Sequence, residues 1–489
     1  MPRYRVPGCF HAAGLLAAIW SSAAEAQSIP AQPAPTGPIS TASPGDPGFT
    51  TQLFSSSRST LLGDMWGLRP ALGALGISFG AQEISEVFGN ATGGLHRGAD
   101  YNGLTLVSLG LDTGKAFGWS GGTFSISALQ IHGRSVSADN LGLLDTVSGI
   151  EAQRATRLWE AWFQQVLLDG KLDVKIGQQS LDQEFITSAG SSLFLNTMAG
   201  WPLIPSADLY AGGPAYPLSS LGVRLRAQPM DNVTILAGVF NDNPAGGSFN
   251  DDSQVRGAAQ SGTAFNFNTG ALAIAEIQYA LNQPTLGQMD YGNGAGRGLP
   301  GTYRLGAWFD SAAFPDQRFD GNGLSLANPA SSGTPRMHRN NWSVYGVFDQ
   351  MIWRSAPDDP RSLSIFARLM GAPDDRNQVD FSVNAGITLK APLPGRQNDT
   401  VGIGYGLAKL SDHLSELDAD AAAYDGTGST RSTESFIEVT YQAQIAPWLA
   451  VQPDFQYFFT PSGGVPNPNE PGHRIGNEAV LGLRTNITF

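Results

Sequence analysis

A period-two alternation of apolar and polar residues recurs along most of this sequence and limits its fold more than any other feature. It is clearest at 221–241, where two alternating runs meet across a turn of about three residues, the pattern of a β-hairpin. In the first run Leu221, Val223, Leu225 and Ala227 share one face and Gly222, Arg224, Arg226 and Gln228 the other, because side chains alternate along a strand. In the second, Val233, Ile235, Ala237 and Val239 oppose Asn232, Thr234 and Gly238, while Leu236 and Phe240 make that face less purely polar. Such a hairpin suits a soluble sandwich, whose apolar face is the core. It equally suits a transmembrane barrel, whose apolar face meets lipid and whose polar face lines water.

Repetition decides between them. Alternating runs place strands near 76–88, 104–111, 122–132, 154–167, 171–179, 220–228, 232–241 and 270–279. In the second half they fall near 302–310, 341–352, 362–370, 379–390, 399–408, 433–445, 448–459 and 477–489. Connections near 168–170, 229–231 and 446–447 are very short, whereas 133–153, 180–219, 242–269, 311–340, 409–432 and 460–476 are long. That is the alternation of periplasmic turns and external loops in an outer-membrane barrel, with the long connection 280–300 as its exception. The expected fold is all-β: a transmembrane antiparallel barrel of about 16 strands, with long extracellular loops and short periplasmic turns. Period-two alternation then points Leu225, Ile235 and Val383 at lipid, and Arg224, Thr234 and Ser382 at the lumen.

The ends of the chain agree with an exported barrel. Arg3 and Arg5 precede an apolar stretch from Phe10 to Trp20, and Ala24-Glu25-Ala26 fits a cleavage site, so residues 1–26 read as a signal peptide. Cys9 lies inside that leader, so the mature chain lacks thiol chemistry. Residues 27–60 read as a Pro/Ser-rich periplasmic tail, with six prolines at 27–48, and 61–489 as the barrel domain. Between Phe49 and Leu75 the apolar spacing suggests a short amphipathic helix broken by Pro70. The final strand, AVLGLRTNITF, puts Leu481, Leu483, Ile487 and Phe489 in one phase, and its terminal aromatic resembles the signal read by the barrel assembly machinery. A formal charge of −13 argues against nucleic acid as a partner, since phosphate binding needs a basic face.

Taken together, LLGDMWGLRPALGALGISF at 61–79, GNATGGLHRGADYNGL at 89–104, GWSGGTFSISALQIHGR at 118–134 and KLDVKIGQQSLDQEF at 171–185 resemble the carbohydrate-selective porins of OprB type. AYPLSSLGVRLRAQP at 215–229, the strand bearing Arg368, and the two closing segments WLAVQPDFQYFFTPSGG and AVLGLRTNITF extend the resemblance over about 60–489. It implies a barrel of about sixteen strands, passive diffusion of small sugars, and a constriction lined by charged groups, notably arginines.

On strand 154–167 the apolar phase Trp159, Ala161 and Phe163 leaves Thr156, Glu160, Trp162 and Gln164 facing inward. The same reasoning adds Lys171, Lys175, Arg224, Arg226, Glu276, Arg304, Trp308, Arg368, Glu438, Asp454 and Arg484, and the family-like segment adds Arg97. Charged and amide groups of both signs can replace the water hydrogen bonds a sugar gives up in a narrow pore, and aromatic faces can stack on its C–H surface. The bland alternative is that these charges pair across the lumen and brace the wall. Segment 180–219 carries Phe185, Phe194, Trp201, Leu203, Ile204 and Tyr210, so it is expected to fold partly into the lumen. Arg224 and Arg226, on the wet face of a strand, are expected to matter to permeation more than to folding.

Catalytic and cofactor motifs do not develop. Gly76-Ile77-Ser78-Phe79-Gly80 matches G-x-S-x-G but lacks the strand-then-helix context of a nucleophile elbow. The six histidines lack metal-ligand spacing, and the acidic segment 411–426 lacks the order of an EF-hand. Glu160 and Glu276 would be a glycosidase pair only at the right separation. No cofactor is expected. The rival readings are a secreted or barrel-borne carbohydrate-active enzyme and a structural barrel tethering an envelope partner.

Overall fold

A strand in a bilayer must satisfy its backbone N–H and C=O groups on both sides, which only a closed sheet achieves. The computed structural model describes residues 58–249, 261–263, 265–282, 298–356, 359–426, 429–470 and 472–489. The leader, most of the tail and most of the connection 280–300 lie outside these residues. Sixteen strands form one closed antiparallel barrel in which each pairs with its sequence neighbours. They are β1 (Ile77–Thr92), β2 (Ala99–Asp112), β3 (Gly122–Gly133), β4 (Ala155–Leu167), β5 (Leu172–Gln179), β6 (Ser220–Met230), β7 (Val233–Asn241) and β8 (Ala271–Leu281). The second half adds β9 (Gly301–Asp320), β10 (Pro335–Arg354), β11 (Ser362–Gly371), β12 (Val379–Lys390), β13 (Thr400–Leu410), β14 (Thr433–Ala446), β15 (Leu449–Phe459) and β16 (Glu478–Thr488). Pairing of β1 with β16, from Gln82↔Thr488 onward, closes the ring. Among the described residues no helix is long and apolar enough to cross a membrane.

The outer wall carries the apolar phase. Leu225 and Ile235 are exposed on it, as are Val239, Leu305, Ile403 and Leu481. Arg224 and Ser382 point the opposite way and are buried. A charged group interrupts the band: Glu83 accepts from Thr105 at 2.5 Å and faces His132 at 3.4 Å, so its oxygens are satisfied within the wall.

Three details differ from the expectation. Pro70 stands in the first turn of the helix Leu68–Ala74, where a missing N–H costs nothing, so it begins the helix instead of breaking it. Arg69 of that helix donates to the Phe489 carbonyl at 2.9 Å, fastening it beside the β1–β16 seam. Next, β9 and β10 are 20 residues each and stay paired to Asp320↔Pro335, so most of the expected loop 311–340 is a hairpin rising beyond the other strands. Arg318 on that hairpin meets Asp420 at 2.8 Å on the helix Asp412–Asp425, which braces it from the side. Finally, β4 carries a bulge, with Ser127 paired to Glu160 but Ala128 to Leu158. One extra residue inverts the phase. Trp159 therefore packs inside against Tyr216, and Thr156 faces out, the reverse of the expected assignment.

The lumen is far from empty. Leu236, Phe240, Leu272, Ile274, Trp308, Tyr345, Phe436 and Phe458 point inward from the wall and pack on Phe185, Ile186, Leu195, Met198, Trp201, Leu203 and Ile204 of segment 180–219. The main hydrophobic core of this barrel is thus the contact between wall and inserted loop.

Candidate permeation pathway

Segment 180–219 folds into the lumen and pairs with the connection 134–154: Gly149 N–H donates to the Leu195 carbonyl at 2.9 Å and Thr197 N–H to that of Thr146 at 3.0 Å. An irregular loop leaves N–H groups without ladder partners, and inward carboxylates of the wall supply them. Glu276 accepts from Ile186 N–H at 2.9 Å. Glu438 accepts from Leu195 N–H at 2.5 Å and Asn196 N–H at 3.2 Å, and Glu434 from Leu144 and Asp145 N–H at 2.9 and 3.0 Å. Arg368 does the converse. Its guanidinium donates to the carbonyls of Ile186 at 3.3 Å, Gly200 at 2.7 Å and Met198, which ties together the two ends of the stretch 186–200.

Glycines in the wall receive the loop's aromatic rings. A Cβ added at Gly402 or Gly404 would lie 2.7 or 2.9 Å from the Phe194 ring, so the recess exists only because neither residue has a side chain.

A cavity of about 290 Å³ remains between this loop and the wall. Its charged lining comprises Arg304 from β9, Arg368 from β11, Arg484 from β16 and Asp182 from the loop, together with Thr187, Ser188, Ala189, Ser191 and Ser192 of the loop. Arg304 donates to the Thr187 hydroxyl at 2.7 Å and approaches Glu276 at 3.4 Å. Arg484 is paired with Glu86 and reaches the Ser148 hydroxyl at 3.3 Å. Burial pushes the Asp182 carboxyl up to about 7, against hydrogen bonds from Ser180, Tyr216 N–H and Gln183.

The remaining candidates separate into groups. Lys175, Arg224 and Arg226 form an ion-pair ladder on β5 and β6: Lys175 meets Glu184 at 2.6 Å, Arg224 meets Asp173 and Glu184, and Arg226 meets Asp173 at 2.5 Å. The expected wet position of Arg224 is corrected, since its side chain is 4% exposed beneath the loop; Arg226, nearer the turn end, keeps 38%. Trp162 lies under the Lys175 ammonium, 4.5 Å from its ring centre, and Gln164 shares their face opposite Lys175. Glu160 accepts from Ser180 N–H at 3.0 Å, another fastening of the loop. Asp454 is buried and accepts from Gln456 at 2.9 Å. Arg97 is exposed on the connection between β1 and β2 and does not join the others; it had only segment likeness behind it, with no strand phase to point it inward. Lys171 is exposed at the β4–β5 turn, and Trp308 is buried in the loop contact. Alternation could not find Asp182, which sits on the inserted loop. Among the described residues no cluster of three or more His, Cys, Asp or Glu is placed to hold a metal ion.

A closed sixteen-stranded barrel with an apolar outer wall, short turns at one end and a loop folded inward to leave a charged cavity defines an outer-membrane porin. The profile described as Carbohydrate-selective porin, OprB family, matches residues 96–489, and the chain belongs to that family. It is similar to Porin B of Pseudomonas aeruginosa, 24% identical over 466 residues that span 91% of this chain and 94% of that protein. It is also similar to the putative porin QuiX of Acinetobacter baylyi, 23% identical over 439 residues, 85% of this chain and 91% of that one. In fold it is similar to Pseudomonas putida OprB in its high-pH structure, with a TM-score of 0.75, 24% identity, and coverage of 89% of this chain and 100% of that one. The chain is an outer-membrane sugar porin of a Gram-negative bacterium, and porins in general are not enzymes.

Proposed function

We propose that small sugars diffuse down their gradient through the cavity beside Arg304, Arg368 and Arg484, and that this chain carries no catalytic activity of its own. The observation that carries the reading is the lining itself: guanidinium groups from β9, β11 and β16 together with loop hydroxyls and main chain give a sugar donors and acceptors in place of lost water. Of the three arginines, Arg304 is the one assigned to meet solute: its bonds to Thr187 and Glu276 both use Nη1 and its side chain keeps 16% exposure. Arg368, by contrast, is 2% exposed with both terminal nitrogens on loop carbonyls, and Arg484 is paired with Glu86 and Ser148. Residues 1–26 act as a removed leader, 27–60 as a periplasmic tail, and the strand ending in Phe489 as the segment read by the assembly machinery.

Liposome swelling with glucose and a graded series of glucose oligomers tests this. Purified protein should pass the smaller sugars and exclude the larger, and Arg304→Ala should change both rate and ion selectivity while the barrel keeps its heat-modifiable gel mobility. A folded variant with the parental rate and reversal potential would remove Arg304 from the path.

A further inference from the structure

The apex of the inserted loop is fastened by a residue that strand phase alone did not single out. Asp349 points inward from β10 in phase with Tyr345 and Val347, both buried against the loop. Its Oδ1 accepts from the Ser188 hydroxyl at 2.7 Å and the Gly190 N–H at 2.9 Å, and its Oδ2 from the Ala189 N–H at 3.3 Å. Ser188 Oγ accepts in turn from Ser191 N–H at 3.1 Å, which starts the 3-10 turn Ser191–Leu193. A Cβ built on Gly190 would stand 2.7 Å from the Phe366 ring, so the apex lies flat on the wall because residue 190 lacks a side chain.

This fastening borders open space. Thr187, Ser188, Ala189, Ser191 and Ser192 all line the cavity that also holds Arg304. Hydrogen bonds to an ionised carboxylate are stronger than neutral ones, and three converge here on one side chain. The free volume beside a released apex is the cavity itself. We propose that Asp349 is a positioning residue that holds the loop apex back against β10 and β11 and so keeps the lane past Arg304 open. The inference rests on the reading of this cavity as the sugar path.

Asp349→Ala, Asp349→Asn and Gly190→Ala in the full-length protein test it by single-channel recording in potassium chloride and by glucose swelling of liposomes. Heat-modifiable mobility identifies folded barrels. Asp349→Ala should show brief closures that the parent lacks, and glucose entry slowed about 3-fold or more, since an untethered apex spends part of its time in the lane. Asp349→Asn, which keeps one acceptor oxygen, should fall between, and Gly190→Ala should reproduce the closures with the carboxylate intact. Parental current noise and glucose rate in folded Asp349→Ala would overturn the proposal, as would a steady, larger conductance. Should Asp349→Ala fail to fold, parental traces from both other variants would overturn it equally. A parent that conducts salt but passes no sugar would instead refute the sugar path, leaving closures in salt to judge the clasp.

Discussion

Arg224 shows how a side chain's surroundings change what its removal should do. Alternation places it on the inward face, where a wet lumen would screen it and make it dispensable for folding. Instead it is buried between Asp173 and Glu184, so Arg224→Ala leaves Asp173, itself fully buried, with Arg226 as its partner. Breaking such a pair costs on the order of 3 kcal/mol. Arg224→Ala should therefore lower the urea midpoint of the isolated barrel, whereas Arg226→Ala, at the half-exposed end of the ladder, should shift it far less. Equal midpoints would show that the ladder does not brace the wall. Asp182 makes the second prediction at this scale. With its carboxyl raised to about 7 by burial, it is neutral below that pH and negative above, so the arginine-lined cavity is more cationic at pH 6 than at pH 8. Anion preference in reversal-potential measurements should rise as pH falls through 7, and Asp182→Asn should flatten that dependence. A variant that keeps the parental pH profile would assign the titration elsewhere.

Among the elements, the inserted loop behaves as a packed core. Trp201 is 1% exposed and donates from its ring N–H to the Gly212 carbonyl at 2.9 Å. Trp201→Ala should loosen loop docking by roughly 3–5 kcal/mol. Limited proteolysis of the folded barrel reads this as faster cleavage within 186–212; unchanged protection would place the stability of the loop in its carboxylate fastenings instead. The loop's apolar content made an inward fold legible in the sequence. Its seats were not legible, because Glu276, Glu438 and Arg368 look alike in strand phase whether they face water or loop backbone, and only the loop's path decides. The bulge in β4 was hidden for a related reason. Trp159 reads as lipid-facing by strict alternation, and the extra residue that turns it inward is fixed by pairing with β3.

For the whole molecule, the apolar phase of Leu225, Ile235 and Val383 predicts contact with lipid tails on the outer wall. A fluorophore on Leu225→Cys should be quenched by quenchers carried on acyl chains and ignored by those in water; the reverse would reject the orientation of the wall. By itself the sequence determined the strand number, the alternation of turns and loops and the outward face, because period two and turn spacing are local and sixteen repeats reinforce one another. Tertiary structure alone decided which inward groups border the cavity and which are covered by the inserted loop. Arg304 keeps 16% exposure beside the cavity while Arg224 is covered and Arg368 is bound to loop carbonyls, because the path of the inserted loop brings up Glu184, 40 residues from Arg224, and the carbonyls of Ile186 and Gly200, 182 and 168 residues from Arg368, and strand phase points to neither.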